Sequence, residues 1–328
     1  MNSQEVKKYL QDFCKVTTNF YYKKIDNWND IFHGGNETKP SPKKGKYKII
    51  SFADRHPQRI LNMNNFKERA SKYSIIDEVV VFNMSDIPRD IQNIHVDIFN
   101  SSRHFSWLAK VYLTYEVLKN SDDCDTILWI DSDIVDIKDN GIDMLFNLCS
   151  NSKKGIVGFH NDFWLEKLFT KKDLYVHLGI TDPTYYNTNQ AYGGLYIIEK
   201  NNFTLDFVKQ WWDICCIKNL FDDSHSHNTN LDSFIEHKNC QSILSLLYKI
   251  NNIKTLPIPL HDLDKKNIIA SHSGYFNDGV VLPVHWEPCW HNVTIKQQWD
   301  NCNAKYRKQV SPDTCLSISK DYYEKDNN

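Results

Sequence analysis

Residues 125–137 read Asp-Thr-Ile-Leu-Trp-Ile-Asp-Ser-Asp-Ile-Val-Asp-Ile, and this stretch decides the fold. The run 125–130 predicts a buried strand that ends directly in the triplet Asp131-Ser132-Asp133. Working outward, 46–53 (KYKIISFA) reads as a first strand running into Asp54-Arg55-His56-Pro57, and 77–83 (DEVVVFN) as a second. Strands are also expected at 155–160 (GIVGFH) and 194–200 (GLYIIEK). Between them the spacing predicts helices over 60–73, 103–118, 203–216 and 233–248. In the second of these, Trp107, Leu108, Val111, Tyr112, Tyr115 and Leu118 line one side. Such alternation gives an α/β fold with a mixed, mostly parallel sheet and helices on both faces. Ligands of open sheets sit beyond the C-terminal ends of strands. Two polar clusters stand at such ends, Asp54-Arg55 and the triplet.

Two aspartates one residue apart at a strand end repel one another and raise each other's pKa unless a cation neutralises them. Oxygen-only ligation suits a hard divalent ion, Mn²⁺ or Mg²⁺, which keeps positions open for phosphate oxygens. Its chemistry would be stabilisation of a departing diphosphate. The plainer alternative is that Asp131 and Asp133 only turn the chain after the strand.

The rest of the composition narrows the field. The chain has 328 residues, 41% of them hydrophobic and 24% charged, with a formal net charge of -2, which argues against a general nucleic-acid binder. Nine cysteines without a CxxC pair argue against a zinc ribbon or a redox motif. The first residues, MNSQEVKKYLQDFCKV, lack an apolar signal region, and no window approaches the roughly 20 apolar residues of a membrane span. A cytoplasmic protein is the expectation. Residues 1–45 read as a short helix (3–16) and a Gly/Pro/Lys-rich linker, 46–275 as the catalytic domain, and 276–328 as an irregular segment packed on it.

The segment TILWIDSDIVDI resembles the D-x-D segment of GT-A-fold (Rossmann-like) glycosyltransferases, which use a nucleotide sugar and a divalent metal. Further segments are similar to a group of bacterial-type polysaccharide glycosyltransferases of that fold: Arg103 to Lys110 (R-x-x-x-W-x-x-K), FTLDFVKQWWDIC, FIEHKNCQSILSLL and IIASHSG. The likeness spans roughly 46–275. It departs where the group usually has Asp before Gln241, since this chain has Cys240. Asp232 or Glu236 could substitute for that carboxylate.

The resemblance implies that Asp133 binds the metal and that Asp131, with Ser132 between them, contacts the ribose or the metal through water. His272 would be a third ligand, with His285 its rival. Ala53, Asp54 and Arg55 would receive base and ribose from a UDP- or GDP-linked donor. Arg103 and Lys110, seven residues apart, would share a helix face toward the diphosphate. Gly193, Gly194 and Gln241 would line the sugar, and the acceptor would be a glycan. Asp162, after the strand from 155, could serve as the base of an inverting transfer. Each has a plainer alternative: a solvated face for the cations, a turn for Asp54, an ordinary loop for 187–194. Two other functions stay open: a HAD-type phosphohydrolase, whose first motif also reads hhhhDxDx[TV], and a catalytically inactive glycosyltransferase-like binding protein.

Overall fold

Successive residues of a strand face opposite sides of a sheet, so strands that are apolar at every position need cover on both. The computed structural model describes residues 42–53, 57–95, 102–132, 134–137, 139–222, 224–257 and 269–272. Within them β1 (Tyr47–Phe52) is followed by α1 (Pro57–Ala70), β2 (Glu78–Phe82), the one-turn α2 (Arg89–Gln92) and the long α3 (Ser102–Lys119). Then come β3 (Thr126–Ile130), β4 (Ile134–Ile137), α4 (Asp139–Ser150) and β5 (Ile156–Leu165). The short α5 (Glu166–Phe169) and α6 (Lys172–His177) lead to β6 (Asn189–Glu199) and α7 (Asn202–Cys215). The remainder is α8 (Lys218–Phe221), α9 (Asn239–Ile250), β7 (Thr255–Pro257) and β8 (Ile269–His272).

Six strands form one sheet in the order β2-β1-β3-β6-β5-β7. All run the same way except β6, which is antiparallel to both its neighbours. One face carries Ile49, Leu128, Ile130, Leu195 and Ile197 against Met63 and Phe66 of α1 and Ile142, Leu145 and Phe146 of α4. The other carries Ile50, Phe52, Ile127, Trp129, Tyr196 and Ile198 against α3, α7 and α9. This is the α/β fold the alternation predicts: a mixed, mostly parallel sheet with helices on both faces. Each fully buried large apolar side chain contributes about 1.5–3 kcal/mol, so the two clusters carry the stability. Among the described residues no helix is long and apolar enough to cross a membrane.

Local chemistry sets the helix ends. Asn201 caps α7 by accepting from Thr204 N (2.9 Å), while the Thr204 hydroxyl accepts from Asn201 N (3.0 Å). The helix expected over 233–248 begins only at Asn239. Ahead of it the backbone N–H groups of Ile235 and Lys238 donate to Leu168 O (2.8 Å) and Phe169 O (3.1 Å), so that segment lies along α5 as an extended strap. His237 pins the strap through Nε2 to Leu220 O (2.8 Å). The strand expected at 155–160 runs on to Leu165, with its pairing to β6 interrupted between His160 and Leu165. The strand expected at 194–200 starts at Asn189, because Ala191 and Tyr192 pair with His160 and Phe159. The stretch 189–194 is therefore strand and not loop.

Candidate functional site

Residues 129 and 131 lie two apart along one strand direction and so face the same side. Asp131 prolongs β3 by one bond, its N–H donating to Gly194 O at 2.9 Å. The Trp129 indole Nε1 donates to Asp131 Oδ1 at 2.7 Å. From the helix above, Lys110 reaches the same carboxylate, 2.7 Å from Oδ1 and 2.9 Å from Oδ2, and also donates to Gly193 O at 2.8 Å. The Lys110 side chain is 5% exposed and that of Asp131 27%, so the pair closes the floor of the site and leaves one edge of the carboxylate to solvent. Lys110 thus lies on Asp131 and Gly193, buried within the site's floor.

The neighbouring strand is fitted to this floor. Gly193 N donates to Gln241 Oε1 at 2.9 Å, and Gln241 Nε2 donates to Gln190 Oε1 at 2.8 Å. A Cβ on Gly194 would come within 2.4 Å of the buried Tyr192 ring. Here the glycine pair admits side chains of the protein itself. Cys240 is buried at the start of α9, its carbonyl accepting from Trp211 Nε1 at 2.9 Å. Burial pushes its thiol up to about 11; Lys110 nearby pulls the other way and Asp131 adds to the rise.

Other candidates are spread more widely. Ala53 is buried at the end of β1, its N–H donating to Phe82 O at 2.9 Å, and Ser132 is half-buried beside Asp131. Glu236 sits on the strap in an ion pair with Lys238, and Asp232 is exposed on the same segment, so neither stands on a helix. At Arg103, Asp162 and His272 only the main chain is described. Arg103 is in the first turn of α3, seven residues before Lys110. Asp162 stands in the interrupted part of β5. His272 closes β8, which pairs antiparallel with β4 so that His272 lies opposite Ile134. Asp54, Arg55, Asp133 and His285 lie outside the described residues.

A divalent cation is tested here by the donor chemistry. An ionised carboxylate offers about four lone-pair positions. Among the described residues Lys110 and Trp129 take three on Asp131, which leaves one on its exposed edge. Among the described residues no three His, Cys, Asp or Glu side chains gather to hold a metal. Among the described donors Asp131 is already neutralised by Lys110, which disfavours a cation seated squarely on it.

The sequence reading passed over Trp129 as core, although its position two residues before Asp131 was the available signal. For Glu166 spacing gives no signal, and Gln190, in the stretch NTNQAYGG whose amides suit sugar hydroxyls, instead turns to Glu166 and Gln241. No family model matches the chain, and no curated protein does. One similar solved structure is 4-diphosphocytidyl-2C-methyl-D-erythritol synthase from Anaerococcus prevotii DSM 20548, at 14% identity. It matches with a TM-score of 0.33 over 65% of this chain and 88% of that one. A likeness of that size leaves function to the site itself.

Proposed function

We propose that the chain is a metal-dependent glycosyltransferase of GT-A type that moves a sugar from a nucleoside-diphosphate sugar to a glycan or other hydroxyl acceptor. The observation that carries the reading is the pairing of β8 with β4, which brings the backbone of His272 opposite Ile134, next in sequence to Asp133. That pairing supports a site in which the Asp133 carboxylate and the His272 imidazole, some 140 residues apart in sequence, would share one strand end with the lysine-neutralised carboxylate of Asp131.

In this reading Asp133 and His272 would hold Mn²⁺ or Mg²⁺, which supplies positive charge to the leaving diphosphate. Asp131 would accept a ribose hydroxyl at the position on its exposed edge that the described residues leave open. Lys110 and Trp129 fix its orientation beforehand, so little ordering remains when the nucleotide arrives. Arg103 would face the diphosphate from the first turn of α3, and Asp162, on the irregular part of β5, is the carboxylate proposed to deprotonate an acceptor.

The test is Mn²⁺-dependent thermal stabilisation by UDP, GDP and a panel of their sugars. Asp133→Ala is expected to abolish the stabilisation while leaving the melting temperature of the free protein unchanged. Stabilisation of the variant equal to that of wild type would overturn the assignment. Phosphate release from simple sugar phosphates, without cleavage of a nucleotide sugar, would favour a phosphohydrolase instead.

A further inference from the structure

Glu166 is completely buried at the start of α5. Its carboxylate accepts from Thr170 Oγ1 at 2.5 Å, and from Ser245 Oγ and Lys249 Nζ in close contacts. The Gln190 side-chain nitrogen faces Glu166 Oε2 (3.4 Å), Phe169 O (3.3 Å), Thr170 Oγ1 (3.1 Å) and Ser242 Oγ (3.2 Å). Every one of these can only accept. The carboxylate and the carbonyl have no proton, and the two hydroxyls have already given theirs, Thr170 to Glu166 and Ser242 to Phe169 O (2.6 Å). Gln190 must therefore turn its nitrogen toward Glu166 and its oxygen toward Gln241. Gln241 must answer with its nitrogen (2.8 Å), which leaves its oxygen for the Gly193 N–H (2.9 Å). Beyond that peptide the Gly193 carbonyl meets Lys110, and Lys110 meets Asp131.

We propose that Gln190 and Gln241 are positioning residues for the nucleotide site. Through one fixed hydrogen-bond polarity, the buried charge of Glu166 orients the Tyr192–Gly193 peptide by its N–H, and the carbonyl of the adjoining Gly193–Gly194 peptide, set by the same residue's backbone, holds Lys110 and hence the Asp131 carboxylate. The consequence for binding rests on the glycosyltransferase reading; the orientation of Gly193 does not. Neither glutamine touches substrate in this arrangement, and each acts through the next group in the chain.

Gln190→Glu sets a second carboxylate against Glu166 and breaks the donor end of the chain. The exchange Glu166→Gln with Gln190→Glu restores a donor facing an acceptor and keeps the acceptor toward Gln241. The readouts are hydrogen exchange at the Gly193 amide by mass spectrometry and calorimetric titration with UDP and GDP in Mn²⁺. In Gln190→Glu, exchange at Gly193 rises about tenfold and nucleotide affinity falls about tenfold, and the double exchange returns both to within about threefold. Wild-type exchange at Gly193 in folded Gln190→Glu, or a double variant no better than the single, overturns the proposal. If Gln190→Glu does not fold, Gln241→Glu, at a half-buried position, opposes two acceptors in the same chain and is read by the same criteria. Wild-type protein that binds neither nucleotide defeats the glycosyltransferase reading, and the exchange data then decide the relay alone.

Discussion

Lys110→Met removes a buried cation with three short contacts, at 2.7 and 2.9 Å to Asp131 and 2.8 Å to Gly193 O. Removing one partner of a buried ion pair costs about 3–5 kcal/mol, chiefly because the other charge is left without a counterion. Asp131 is 27% exposed and keeps the Trp129 donor, so water and the indole replace part of what lysine gave. The expected loss of stability is accordingly about 2–4 kcal/mol. Asp131→Asn keeps an acceptor for Trp129 but turns an amide toward Lys110, for about 1–2 kcal/mol. In the double variant neither uncompensated charge remains, so its loss is smaller than the sum of the singles, with a coupling of about 1–3 kcal/mol. The assay is urea unfolding of the four proteins in low salt, because guanidinium salts would screen the interaction being measured. Additivity to within about 0.5 kcal/mol would show that the contact has no energetic weight and refute the picture of a lysine-neutralised carboxylate.

Other consequences can be checked singly. A Cβ on Gly158 would lie 2.3 Å from the ring of Tyr248, which is fully buried and stacked on Phe207 at 5.5 Å. Gly158→Ala should thus cost about 1–3 kcal/mol in urea unfolding, and a neutral result would mean the ring moves freely. On the alkaline side, burial raises the Cys216 thiol from 9.0 to about 11 and raises that of Cys149 further. The folded protein then holds protons that the unfolded chain has lost, so urea midpoints should fall as pH rises above about 9, and a flat profile would contradict the burial. On the acid side, burial alone would raise Asp125, but Lys48 at 2.8 Å and the N–H groups of Lys46 and Asp122 outweigh it and hold it below 3.8. The stability it contributes is present above that value and lost as pH falls through its folded pKa; Asp125→Asn should weaken this part of the acid transition.

How much of this could be read from sequence depends on the range of the interaction concerned. The strands at 46–53, 77–83 and 125–130 and the helices over 103–118 and 203–216 were legible because apolar runs and capping residues act locally, as Asn201 does on α7. Residues 139–150 were left unassigned although Ile142, Leu145, Phe146 and Cys149 stand at helical spacing, with Gly141 near the start masking the signal. The helix expected from 233 starts six residues late for a reason no periodicity carries. Its first turn is held extended by carbonyls of Leu168 and Phe169, some 65 residues earlier in the chain. The site divides in the same way. The triplet announces itself, and Trp129 follows from strand alternation, but the Glu166–Gln190–Gln241 chain joins three separate elements and has no linear signature.

The repulsion of two neighbouring carboxylates calls for a positive charge beside them. The structure answers half of it without any metal, because Lys110 neutralises Asp131 at 2.7 Å from inside the protein. The two aspartates therefore need different explanations. Asp131 belongs to a floor fixed by lysine, indole and the Gly193 carbonyl, and the edge that the described residues leave open suits a neutral hydroxyl better than a dication, which would stand against the lysine charge. On the glycosyltransferase proposal, the cation would then be held by Asp133 and by His272, whose backbone β8 brings opposite Ile134. The same division bears on Cys240. A carboxylate buried there would add negative charge beside Asp131 and Lys110, whereas a thiol kept protonated by burial adds none. On the glycosyltransferase proposal, Cys240 would therefore leave the nucleotide side intact and alter only the charge available toward an acceptor.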